Sequence, residues 1–211
     1  PPYRESGREN KKKDYMIEKD RVSIQDNFLP KEEFVALRDI FIALEPLSPK
    51  HTTTIPWLYS PLIINNIDEE LSTSPGQFFH VVYENNVPTS GIYESHFFPI
   101  LERLNVHTLT RIRVNLNPRL TEPFFTTFHT DVSDLDVEEF TTSIFYINTC
   151  NGYTELEDGT KIENVANRLL TFPLNTKHRG VTQTDEQTRV VINFNYFPVQ
   201  NIPQLKEYES Y

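Results

Sequence analysis

The segment FFTTFHTDVSD places His129 two residues before Asp131. In extended backbone, residues i and i+2 point to the same face, so this pair can offer an imidazole and a carboxylate to one ion. The pair alone is a weak signal. Its company strengthens it. His178 follows in FPLNTKHRGV, where a strand gives way to a turn, and Arg189 opens the apolar run RVVINFNYF eleven residues later. Two histidines and one carboxylate are the donor set of mononuclear non-haem iron(II) centres, which leave one face of the octahedron open. Cys150 is the only cysteine, so neither a thiolate cluster nor an intramolecular disulfide can form. A charged residue heading an otherwise apolar strand is best explained by a buried anion, and Arg189 is therefore placed beside an acidic ligand.

Taken in order, HTD, TTSIFYIN with NGYTELEDG, FPLNTKHRGV and RVVINFNYF resemble the 2-oxoglutarate/Fe(II)-dependent dioxygenases. Within that superfamily the resemblance is to the prolyl-4-hydroxylase-like branch, especially its small microbial and phage members. It covers residues 108–197, and DNFLPKEEF extends it toward the N-terminus. The resemblance implies that His129, Asp131 and His178 are the catalytic metal ligands. It implies that Arg189 forms a bidentate pair with the distal carboxylate of 2-oxoglutarate, a task suited to a planar guanidinium. It further implies that Tyr146 hydrogen-bonds that carboxylate and that Thr154 and Asn193 complete the co-substrate pocket. Asn117 stands where the family often has a co-substrate-contacting tyrosine, a departure that leaves its role open. The implied reaction consumes O2, allows ascorbate as an accessory, and hydroxylates a C–H bond with release of succinate and CO2. The substrate is a peptide, prolyl or otherwise, or a small molecule.

The elements that must position these residues are legible as changes of period. From Thr108 onward TLTRIRVNL and TTSIFYIN alternate polar and apolar residues, and RLLTFPL and RVVINFNYF are rich in branched and aromatic residues. Turn-rich segments separate them, which suggests a mainly β fold, a jelly roll. With the resemblance, the expectation is a double-stranded β-helix core over 108–198, carrying N-terminal supporting helices and loops over 21–107. In that support region Val22 to Ile24 reads as a short strand. A helix then follows Pro30, with Glu32 and Glu33 in its first turn and Phe34, Leu37, Phe41 and Leu44 on one face. A second apolar face, Phe97, Ile100, Leu101 and Leu104, is expected with an irregularity before Pro99. Six prolines make 45–90 loop-rich; its aromatics, Trp57, Tyr59, Phe78, Phe79 and Tyr83, either pack or line a cleft. Residues 1–20 and 199–211 read as polar tails, and Met16 is the expected native start.

A chain of 211 residues can bury a real core as one domain. Its net charge of −10 disfavours nucleic acid as a partner, because phosphate binding relies on Lys and Arg. No apolar run reaches the length of a membrane span, and the unpaired cysteine suits a reducing, cytoplasmic setting. Asp134, Asp136, Glu138 and Glu139 follow the metal motif directly; they form either a solvated loop or an acidic lip favouring a cationic substrate. Two rival classes remain: a cupin-like metal enzyme that does not use 2-oxoglutarate, and a non-catalytic jelly-roll binding module.

Overall fold

The structure, a computed structural model, describes residues 22–42, 55–63, 74–131 and 140–199. Met16, Leu44, the acidic run after Asp131 and residues 200–211 lie outside the described residues.

Two long strands form the spine. β5 (Val106–Pro118) and β11 (Thr188–Pro198) pair antiparallel, with Arg189 opposite Asn117 and Asn193 opposite Arg113. Around them an eight-stranded sheet runs β1 (Ser23–Gln25), β9 (Arg168–Pro173), β6 (Thr141–Tyr146), β11, β5, β3 (Gln77–Glu84), β2 (Leu58–Ser60), with β4 (Val87–Pro88) paired to β3. A second sheet holds β10 (His178–Val181), β7 (Tyr153–Leu156) and β8 (Lys161–Glu163).

Alternation along the strands divides the large sheet into two faces. Ile112 and Val114 of β5, Val190, Ile192 and Phe194 of β11, and Phe145 of β6 all belong to one buried apolar cluster. Helix α1 (Lys31–Phe41) covers this face with Phe34 and Leu37, and helix α2 (Phe98–Arg103) with Ile100 and Leu101. Phe28 and Phe34 meet the Phe145 ring edge-on at 5.7 and 6.1 Å. Each such side chain, once buried, contributes about 1.5–3 kcal/mol. The opposite face gives Ile144, Tyr146, Leu170, Phe172 and Val191 to a smaller cluster with Leu156 and Ile162 of the second sheet. The expected mainly β jelly-roll architecture with supporting helices is what the chain forms.

Differences from expectation sit in the support region. The eight-residue strand β3 runs through QFFHVVYE, in the stretch expected to be loop-rich; its aromatic and β-branched residues outweigh the flanking prolines. The irregularity before Pro99 is a π-helical turn over Tyr93–Phe97. Asn167 ties the N-terminal segment to the core. It takes a left-handed φ of 63°, tolerated by asparagine. Its side chain accepts from Leu29 N at 2.9 Å and donates to Leu29 O at 2.8 Å.

Candidate active site

His129 is not in a continuous strand. It forms an isolated bridge with His178, each amide donating to the other's carbonyl at 3.0 and 2.9 Å, and Asp131 follows on a bend. The two histidines are therefore locked side by side by backbone, with ring centroids 4.6 Å apart. Both rings are oriented in the same way. Each Nδ1 lies 3.1 Å from a carbonyl two residues upstream, Thr127 O for His129 and Thr176 O for His178. A carbonyl only accepts, so Nδ1 carries the proton and Nε2 keeps its lone pair. The two Nε2 atoms lie 3.9 and 3.8 Å from Asp131 Oδ1. These separations are too long for hydrogen bonds, and the three donor atoms fall within 4.8 Å of one another. Burial pushes the His178 imidazole below its ordinary pKa, which favours the neutral form that a metal requires.

Asp131 is held from behind. Its side chain is 5% exposed, and Oδ2 accepts from Asn195 Nδ2 at 2.8 Å and Thr142 Oγ1 at 3.4 Å. Asn195 Oδ1 in turn accepts from Arg111 Nε at 3.0 Å. Only one orientation of the amide satisfies both neighbours, since a guanidinium cannot accept and a carboxylate cannot donate. Burial alone would raise the Asp131 pKa, but His178, Arg111, Asn195 and His129 together hold it below the usual range. The carboxylate is thus kept ionised with Oδ1 aimed at the two imidazoles. Asn195→Ala is expected to weaken metal binding by about 10–100-fold, as loss of such an orienting partner typically does. Calorimetric titration with Mn(II) measures it; unchanged affinity would show that Asn195 does not orient the carboxylate.

Arg189 lies at the other end of the same cavity, which has a volume of about 550 Å³, within the usual range for small-molecule sites. The guanidinium is buried, makes a long contact of 3.4 Å to Thr154 Oγ1, and leaves Nε without a hydrogen-bond partner among the described residues. No carboxylate among the described residues pairs with it. Gly152 makes room for its stem: a Cβ there would come within 2.9 Å of Arg189 Cδ and 2.8 Å of Val181 O. Gly152→Ala is expected to displace Arg189 and lower affinity for an anion at that end, leaving metal binding intact. Parallel titrations with 2-oxoglutarate and with Mn(II) check this; equal losses in both would indicate general damage instead.

The structure brings His129, Asp131, His178, Arg189, Thr154, Asn193 and Asn117 onto one cavity wall. Tyr146 stands behind Thr154 and donates to its hydroxyl at 2.8 Å. Its phenol therefore reaches the pocket through Thr154 rather than directly. Burial pushes that phenol up to about 12, so it stays a donor. Asn117 lies across from Arg189, buried, with Nδ2 unpaired among the described residues. Sequence reasoning missed Asn195, Thr142 and Gly152. Arg111 and Arg113 also line the cavity, from β5. The alternation RIRVNLN carried the missing signal, since it puts Arg111, Arg113, Asn115 and Asn117 on one face of β5.

No family model matches this sequence, and no curated protein matches it. Solved structures do share its fold. One is a Pseudomonas putida prolyl-4-hydroxylase, 15% identical, with a TM-score of 0.50 over 84% of this chain and 92% of that one. Another is an oxidoreductase of the 2OG-Fe(II) oxygenase family from Burkholderia pseudomallei, 9% identical, with a TM-score of 0.56 over 83% and 85% of the two chains. The chain has the fold of the 2OG-Fe(II) oxygenases, prolyl hydroxylases among them. No helix among the described residues is long and apolar enough to cross a membrane.

Proposed function

We propose that this chain is a non-haem Fe(II)- and 2-oxoglutarate-dependent dioxygenase that hydroxylates a C–H bond of a peptide or small-molecule substrate, releasing succinate and CO2. One observation carries the reading: a buried guanidinium with no carboxylate partner among the described residues shares a cavity with a His–Asp–His donor set. The donors fit Fe(II), being two neutral imidazoles with free Nε2 lone pairs and one ionised carboxylate, with no thiolate. The far end fits a dicarboxylate, because a desolvated guanidinium is stable only opposite an anion.

His129, Asp131 and His178 would hold the iron, and Arg189 with Thr154 would bind the distal carboxylate of 2-oxoglutarate. Bound there, iron and co-substrate supply the oxygen-activating chemistry. The chain's own contribution is position and exclusion of water. Asn195 and Thr142 fix the carboxylate, the Thr127 and Thr176 carbonyls fix the imidazoles, and the facing sheets desolvate Arg189. The fold shared with prolyl hydroxylases supports a substrate of amino-acid character. Anaerobic addition of Fe(II) and 2-oxoglutarate tests the reading. A visible charge-transfer band is expected, followed in air by slow succinate formation without added substrate. Absence of both would favour a binding module or a metal enzyme that does not use 2-oxoglutarate.

A further inference from the structure

Among the described residues, the cavity lining carries more positive charge than the metal site and its co-substrate can use. Arg111, Arg113 and Arg189 all face it, and Asp131 is the one carboxylate among its described lining residues. Lys177, also at the rim, is paired with Glu157 at 3.0 Å. A divalent ion and a dianionic co-substrate cancel each other, so they leave this imbalance unchanged. Arg189 answers to the co-substrate, and Arg111 is engaged with Asn195 and lies 3.9 Å from Asp131. Arg113 is left over.

Its setting is that of a built subsite. The guanidinium lies over the Phe79 ring, 4.0 Å from the centroid, a contact that fixes its plane and leaves its edge for a ligand. Its Nε is buried without a partner among the described residues, and so are Asn115 Oδ1 and Asn193 Oδ1 on the same wall. Asn193 is the register partner of Arg113, and Asn115 is two residues further along the same face. Burial and the neighbouring Arg111 push the Arg113 pKa down, against the opposing pull of Glu84 and Asp131. The subsite lies on β5, beside the line that β11 draws from Arg189 toward Asn195 and the metal ligands, and on the β3 side of it.

We infer that Arg113, with Asn193 and Asn115, binds the carboxylate of the second substrate, and that this substrate is a free α-amino acid or a close analogue rather than an internal peptide residue. The inference rests on the dioxygenase reading above and names the substrate class of that same site. A carboxylate satisfies the guanidinium edge. The adjacent ammonium supplies donors for the unpaired amide oxygens. An internal peptide residue has neither a free α-carboxylate nor an α-ammonium to offer.

The test uses the full chain loaded with Zn(II) and saturated with 2-oxoglutarate, a form that binds without turnover. Free L-α-amino acids and their matched carboxamides are screened by melting temperature, and any binder is measured by calorimetry. At least one free acid is expected to bind, with its amide at least about tenfold weaker, the minimum for a lost buried ion pair. Arg113→Met should weaken the acid by at least about tenfold, and Arg113→Lys should recover part of that loss. No binding by any free acid, or equal binding by acids and amides, overturns the inference. The 2-oxoglutarate affinity of Arg113→Met separates the two sources of carboxylate. If it falls as far as that of Arg189→Met, the subsite serves the co-substrate and the inference is wrong. If wild-type protein binds no 2-oxoglutarate with any metal, the dioxygenase reading is what fails.

Discussion

Replacing Arg189 with methionine is expected to raise the melting temperature of the ligand-free protein while removing its affinity for 2-oxoglutarate. The two effects have one cause. In the free protein the guanidinium is desolvated between the sheets; among the described residues Nε is unpaired and the nearest side-chain partner is Thr154 Oγ1 at 3.4 Å. An uncompensated buried charge opposes folding, and an apolar side chain of similar length fills the same space without that penalty. A gain of about 1 kcal/mol would raise the melting temperature by about 2–4 °C for a chain of this size. In the complex the sign reverses. Truncating one partner of a buried charge pair costs about 2–5 kcal/mol, or roughly 30- to several-thousand-fold in affinity. Differential scanning fluorimetry with and without 2-oxoglutarate reads both effects in one experiment. A fall in ligand-free stability with co-substrate binding retained would show that Arg189 is a structural residue.

Asp131→Ala is expected to abolish metal binding and all turnover that depends on it. His129 and His178 would remain bridged through their backbones and oriented by the Thr127 and Thr176 carbonyls. Two neutral ligands cannot replace the lost charge, and Asn195 Nδ2 and Arg111 would both lose the anion they approach. Loss of an orienting partner alone typically costs 10–100-fold, so loss of the ligand itself should exceed about 100-fold. Anaerobic Fe(II) titration measures it directly, and circular dichroism verifies that the chain has folded. Undiminished metal binding by a folded variant would mean that the three residues are not the ligand set.

The same residues show how much was legible beforehand. His129, Asp131, His178 and Arg189 stand out because imidazole, carboxylate and guanidinium are costly to bury without a task. Their order therefore reads as chemistry even before any fold is known. The strands were legible for a related reason: TRIRVNL alternates because one face meets the helices and the other meets the cavity. The geometry first assumed for the His-x-Asp pair was not right in detail. His129 is positioned by a bridge to His178 rather than by a regular strand, because the segment crosses to β10 at isolated points.

Asn195 and Gly152 were invisible for a different reason. Asn195 reaches Asp131 across 64 residues of sequence, and Gly152 matters only because Arg189 passes over it. Neither residue type announces a role, since asparagine and glycine are common in strands' ends and turns alike. Their roles are set by cross-strand register, which depends on how two distant segments pair and not on either alone. The sequence by itself thus marked out the clustered His129, Asp131 and His178, the buried cation and the two-faced strands, because periodicity and the burial cost of charge are local properties. Only the tertiary structure decided which atoms hold Asp131 in place, what clears space for Arg189, and that Arg113 lines the cavity with its Nε unpaired among the described residues. Those facts follow from register and packing, where residues far apart in the chain become neighbours.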